Sequence, residues 1–321
     1  MHDPDLELLP TELKEALQEF YGIGESIIDK FGAELASVPP PPLIYHYTDD
    51  GGLKGIIENG NLWFTDIFNL NDPSELLHGF SKAVEILDQK TRPGLPIHAG
   101  FVEIFSDFVK LGGIKKAAHF FTCSFSFAED DLGQWRAYAD NGRGYALGFD
   151  TLELEASFVR DPKNNPSTFQ ITYDDAALVG LFSSILDAGM KLIRLPLGKH
   201  LTPQQAKIYM VQLSMRISVL CLHASIYFKH EAYKNEEEYR FLQTFRMDLP
   251  AEGIKFRSRP YSLVKFREIN WKSAAPNTLR RIVVGPAADF SKAGQFAHDC
   301  CKEFYTGPVE IIQSKIPYRA H

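Results

Sequence analysis

Cysteine is scarce in this sequence: Cys123, Cys221, Cys300 and Cys301 are the four in 321 residues, and none is spaced as Cys-x-x-Cys. The adjacent pair cannot easily bridge to itself, which argues against a disulfide scaffold and for a reducing compartment. His298 beside Cys300 lacks the spacing of a zinc site. A basic-then-apolar leader is missing. The longest apolar stretch, Ala176 to Ile193, contains Asp187 and Lys191, which argues against a membrane span. A cytoplasmic protein without membrane association is therefore expected. Also absent are a lysine-bearing phosphate loop, a Gly-x-Ser-x-Gly elbow and a His-Glu-x-x-His pair. Common hydrolase and zinc-protease chemistries lose support with them. Gly142-Arg143-Gly144 with Gly148 precedes a strand, whereas a dinucleotide fingerprint needs the strand first and the helix after. No internal repeat occurs, and the low-complexity tract is Pro39-Pro40-Pro41-Pro42.

What is present has globular composition, 45% hydrophobic and 23% charged, enough for one large domain or two small ones. The net charge of -7 is uneven. The first fifty residues are acidic (Asp3, Asp5, Glu7, Glu12, Glu15, Glu19), while Lys255, Arg257, Arg259, Lys265, Arg267, Lys272, Arg280 and Arg281 form a basic run. That run is either ordinary solvated strand and turn or a phosphate-facing surface.

Leu6 to Ala36 reads as two short amphipathic helices, with Thr11 as a cap. Together with the proline spacer they make residues 1–42 an N-terminal helical arm. Residues 43–321 read as a single α+β domain with a helical insertion at about 175–228. Leu43 to Thr48 is a strand, Leu53 to Glu58 a helix closed by Asn59-Gly60, and Leu62-Trp63-Phe64 a second strand. Asp72, Pro73 and Glu75 start a helix running to about Gln89, and Phe101 to Leu111 is a further apolar segment. His119 to Ser126 is a strand. Asp130 or Asp131 caps a helix bearing Gln134, Trp135 and Tyr138, and Tyr145 to Phe149 is a strand. Helices at Asp175 to Ile193 and Pro203 to Phe228 precede strands at Glu238 to Phe245, Tyr261 to Phe266 and Arg281 to Val284. A helix from Phe290 to Glu303 and a strand near Val309 to Ile312 end the chain.

Four groups of residues could carry chemistry. His46 sits inside an apolar strand and needs a hydrogen-bond partner or a ligand, and Tyr45, Tyr47 and Thr48 surround it with groups expected to bind the cofactor. Glu238 and Arg240 share one face of a late strand, either as a structural ion pair or as a reactive carboxylate with its support; Glu236 would be an accessory acid. Ser124 and Ser126 form the polar face of their strand. Trp135 and Tyr138, three apart on a helix, fit core packing or stacking on a flat ring. Asn71, Asp72 and Glu75 fit a helix start or a cleft lining. No metal is required.

These segments together resemble a bacterial family known as a domain of unknown function. The shared pattern is Tyr45-His46-Tyr47, Leu62-Trp63-Phe64, Asn71 to Glu75, Ser124 to Ser126, Trp135 to Tyr138, Gly144 to Phe149 and Glu236 to Arg240. The opening strand-helix-strand and the late Glu-bearing strand look, more distantly, like the ADP-ribosyltransferase superfamily. That resemblance implies a mixed β core, NAD as substrate, and a protein or nucleic acid as acceptor. It implies that His46 bonds the ribose next to nicotinamide, Ser124 or Ser126 supports the site, Glu238 holds the 2′-hydroxyl, and Tyr138 or Tyr145 stacks on nicotinamide. Two departures stand out, a large helical insertion before the late strand and a middle-strand residue ambiguous between serine and tyrosine. The expected activity is an NAD-dependent ADP-ribosyltransferase or NAD glycohydrolase, as a toxin or defence effector. Glu238→Gln is expected to abolish it with the fold intact. The alternatives are a nucleotide- or nucleic-acid-binding module using the basic run, and a metal-dependent nuclease using Asp72, Glu75 and Glu238.

Overall fold

The computed structural model describes residues 4–70, 74–90, 101–107, 118–159, 166–196, 200–246, 253–273 and 277–318. The chain is mixed α and β around an open, mixed sheet. Its β-branched and aromatic runs form ten strands: β1 Leu43–Thr48, β2 Asn61–Asp66, β3 Ala118–Ser126, β4 Tyr145–Asp150, β5 Ser167–Gln170, β6 Glu238–Arg246, β7 Ile254–Arg259, β8 Ser262–Asn270, β9 Leu279–Val284 and β10 Glu310–Gln313. The order β10-β9-β4-β1-β3-β2-β8-β7 runs across the sheet, with β6 on β3 and β5 on β6. β9 and β10 pair in parallel, and the other named strand pairs are antiparallel.

The register at β3 makes the sheet fork. β6 pairs with β3 along its length, from Ala118↔Arg246 to Ser126↔Glu238. β1 reaches β3 only at Tyr45↔Ser126, and β2 only at Thr65↔Thr122 and Asp66↔Phe121. β1 and β2 thus diverge, leaving the β3 backbone between them without a strand partner on that side.

Helix α1 (Thr11–Ala36) is one continuous helix, where two short ones were expected, and its N-cap is Pro10, with no side-chain cap bond. Leu13, Leu17, Phe20 and Ile28 are buried against helices α2 (Asp175–Ile193) and α3 (Pro203–Ser225). Those two helices are each long and apolar enough to cross a membrane by length and composition; here they share a core with α1 and Ser74–Lys90. A Thr202–Gln205 capping box starts α3.

The helical layer covers the part of β3 and β6 that presents Phe120 and Leu242. Alternation then puts Thr122, Ser124, Ser126, Arg240 and Glu238 on that same face, beyond the apolar end. The opposite face, with Phe121, Cys123, Phe125, Tyr239 and Phe241, builds a second core with Phe64, Phe149, Phe158 and Trp271. Among the elements outside the sequence expectation are the helix Thr151–Val159, β5 and β7. The Asp72–Pro73 helix start lies outside the described residues; of the segment from Phe101, residues 101–107 are helical.

Candidate functional site

A cleft of about 990 Å³ opens at the fork. Its lining joins β1, the helix Asp50–Asn59, β2, β3, the helix Leu132–Tyr138, the start of β6 and the inner face of β7. Asp49 caps Asp50–Asn59 by accepting from the Gly52 N–H at 2.8 Å. Gly60 ends that helix in the left-handed region, at φ 64°. Gly52 packs closely on the cleft: a Cβ there would sit 1.8 Å from Oγ1 of the cleft residue Thr48, whose side chain would have to turn.

Ser124 connects the two principal side chains. Its carbonyl, in the gap left by the diverging strands, stands 3.1 Å from His46 Nδ1. A carbonyl can only accept, so Nδ1 carries the proton there, and a neutral ring keeps Nε2 as an acceptor. Burial lowers the His46 pKa below its ordinary value, opposed by the Ser124 carbonyl, so the ring is neutral at pH 7. The Ser124 hydroxyl donates to Glu238 Oε1 at 2.6 Å. One residue of β3 thereby holds a histidine from β1 and a carboxylate from β6.

Glu238 is 4% exposed and ionised. Burial raises its pKa, but the charges of Arg240 and Lys229, with hydrogen bonds from Arg240 and Ser124, outweigh that and hold it at about 2. Arg240 Nε donates to Oε1 at 2.7 Å, and Lys229 Nζ lies 3.3 Å from Oε2. Four lone-pair positions serve these three bonds, which leaves one on Oε2 for a ligand. Arg240 also donates to the Ile226 carbonyl at 3.0 Å, so it positions Glu238 from beneath. Lys229 also pairs with Glu236, whose other oxygen accepts from the Tyr138 hydroxyl at 3.4 Å. Ser126 does a structural job, donating to the Glu236 carbonyl at 2.7 Å and accepting from the Ala128 N–H at 3.0 Å.

The aromatic assignments divide. Tyr138 lines the cleft and is 39% exposed, open to stacking. Trp135 does not line it: the indole is fully buried, donates to Asp130 Oδ1 at 2.7 Å and meets Tyr47 edge-on at 4.8 Å. Tyr45 and Tyr47 border the cleft, yet strand alternation turns their rings from His46 into a small core with Trp135, Ala139, Ala146 and Val283. The Tyr47 hydroxyl is committed to the Ala128 carbonyl at 2.8 Å. Tyr145 is buried in the second core with its hydroxyl on the Ala293 carbonyl, so stacking on a ligand is excluded. Packing demand places these four rings, which the strand and helix patterns could not reveal.

Lys229, Trp63, Tyr233, Arg257 and Arg259 also line the cleft. No local signal marks Lys229, because its partners Glu236 and Glu238 come from the following turn and strand. Asn71 and Asp72 lie outside the described residues, and the side chain of Glu75 is likewise not described. Among the described residues no three His, Cys, Asp or Glu side chains group to hold a metal ion. The cysteines there are free.

Residues 134–241 match a family described as "Protein of unknown function (DUF2971)". The match takes in Tyr138, Lys229, Glu236, Glu238 and Arg240 and leaves β1, β2 and β3 outside. No curated protein matches the chain, and no solved structure does.

Proposed function

We propose that the cleft binds NAD and cleaves its nicotinamide–ribose bond, as an ADP-ribosyltransferase or NAD glycohydrolase of the cytoplasm. The observation that supports this most is the convergence of neutral His46 and ionised Glu238 on Ser124. Two acceptors of different kinds then face one ligand. His46 Nε2 accepts from a ribose hydroxyl, and the open lone pair of Glu238 accepts from the 2′-hydroxyl.

In the reaction the C1′–N bond breaks and its electron pair leaves with nicotinamide, which departs neutral. The ribose passes through an oxocarbenium-like state. Its positive charge is stabilised by the Glu238 carboxylate, which is 4% exposed at the floor of the cleft. Arg240 and Lys229 offset the formal charge of Glu238, so much of its contribution comes from the hydrogen bond that fixes the ribose. Tyr138 offers a ring face to nicotinamide. Water or an acceptor hydroxyl then adds at C1′, and Glu236, partly exposed beside Lys229, takes the released proton.

Nicotinamide release is the test. Wild type, His46→Ala and Ser124→Ala are incubated with NAD, alone and with cell lysate, and nicotinamide is followed by mass spectrometry. Release by wild type and a loss of about tenfold in His46→Ala, with circular dichroism unchanged, is expected. A wild type that releases none under either condition refutes the reading and leaves nucleotide binding without turnover.

A further inference from the structure

The sequence of β7 reads Lys255-Phe256-Arg257-Ser258-Arg259, basic at alternate positions. Alternation puts the three cations on one face. Register then sets what they meet: Arg257 pairs with Val264 and Arg259 with Ser262 on β8, while Trp63 and Thr65 of β2 pair with Glu268 and Phe266. This shared face forms a cleft wall, and Trp63, Thr65, Arg257, Arg259 and Glu268 line it. In the strand order β7 stands across the fork from His46 on β1.

The cations of this wall are not equally engaged. Lys255 binds Glu268 at 2.6 Å. Arg259 donates to the Asn69 carbonyl at 2.9 Å. Arg257 lies over the Trp63 ring at 5.2 Å and reaches Thr65 Oγ1 only at 3.4 Å. Its Nε is buried and, among the described residues, has no hydrogen-bond partner. Among the described residues no carboxylate pairs with Arg257 or Arg259. Burial first, and then the charge of Arg259, lower the Arg257 pKa. Two guanidinium groups on one cleft wall, with no carboxylate partner among the described residues, are the arrangement that an anion relieves.

Much of the rest of the basic run is engaged within the fold. Arg267 donates to Gln243 Oε1, Lys272 caps the Ile57 and Phe304 carbonyls, and Arg281 lies between Glu129 and Glu310. A nucleic acid would need an open basic track. Two guanidinium groups inside a cleft suit a compact anion, which planar forks bind bidentately.

We infer that Arg257 and Arg259 form an anion subsite in the cleft for the diphosphate of a nucleotide. The inference rests on reading this cleft as the NAD site. It assigns the β7–β8 hairpin to holding the diphosphate while His46 and Glu238 meet the ribose.

The test is calorimetric titration of ADP, inorganic pyrophosphate, adenosine and a single-stranded oligonucleotide into wild type, Arg257→Ala, Arg259→Ala and Arg257→Lys. Wild type is expected to bind ADP and pyrophosphate, and ADP more tightly than adenosine. Each alanine variant should weaken ADP about tenfold and leave adenosine unchanged; Arg257→Lys should fall between. Should an alanine variant not fold, Arg257→Lys and the competition of pyrophosphate with ADP on wild type decide the matter. Adenosine as tight as ADP, ADP binding indifferent to the substitutions, or preference for the oligonucleotide would each overturn the subsite. Because these titrations need no turnover, the two readings separate. Arginine-dependent ADP binding without nicotinamide release keeps the subsite and removes the enzyme; release untouched by the arginine substitutions does the reverse.

Discussion

At the scale of the residue, Glu238 carries the largest consequence. It is buried among two cations and a hydroxyl, so Glu238→Gln strips the countercharge from Arg240 and Lys229. Breaking one partner of a buried ion pair costs about 3 kcal/mol or more. The substitution is therefore expected to lower stability as well as activity, contrary to a fold left intact. Chemical denaturation checks this, and a midpoint equal to wild type would show that the cations find other partners. The pH dependence follows the same carboxylate. Its folded pKa, about 2, lies below the ordinary 4.5. Its contribution is thus fully present above pH 4.5 and lost as pH falls from 4.5 toward 2. Wild type should lose stability across that window more steeply than Glu238→Gln. Parallel curves for the two proteins would mean that other carboxylates govern acid unfolding.

At the scale of the element, the end of β1 is fixed by a close backbone approach. Gly142-Arg143-Gly144 turns the chain into β4, and a Cβ on Gly144 would lie 2.2 Å from the Thr48 carbonyl oxygen. That contact is with backbone, so no rotamer relieves it. Gly144→Ala must push Thr48 away and shift the strand that carries His46. A cost of about 2 kcal/mol is expected, read as a lower thermal midpoint, with weaker NAD binding beside it. Full stability in that variant would show that the turn relaxes without β1. Gly142, at φ 86°, uses the left-handed region that glycine enters freely.

At the scale of the whole molecule, the first helix decides whether the rest is covered. Leu13, Leu17, Phe20 and Ile28 of α1 are each no more than 1% exposed. At roughly 1.5–3 kcal/mol for each buried side chain, their loss rivals the total stability of about 5–15 kcal/mol typical of folded proteins. It would also bare α2 and α3. A chain beginning at residue 43 is expected to be insoluble or unfolded on expression. A soluble, cooperatively folding truncation would show instead that residues 1–42 are an independent arm.

Local pattern alone determined a good deal here. Strand alternation put Glu238 and Arg240 on one face of their strand, and Ser124 and Ser126 on one face of theirs. Capping chemistry marked Asp130 or Asp131 as a helix start, of which the structure uses Asp131, and Asn59-Gly60 as a helix end. These signals are local, since they depend on backbone period and on side chains reaching their own turns. The tertiary structure decided what no short window holds. It brought His46 and Glu238 to one serine because β1 and β6 occupy different edges of β3. Lys229 met two acids through the turn after α3, and Arg257 and Arg259 faced Trp63 through the pairing of β8 with both β7 and β2. Packing also sent Trp135 and Tyr145 into the cores. An aromatic stripe reads the same whether it meets a ligand or a neighbouring strand, and only the presence of that neighbour settles which.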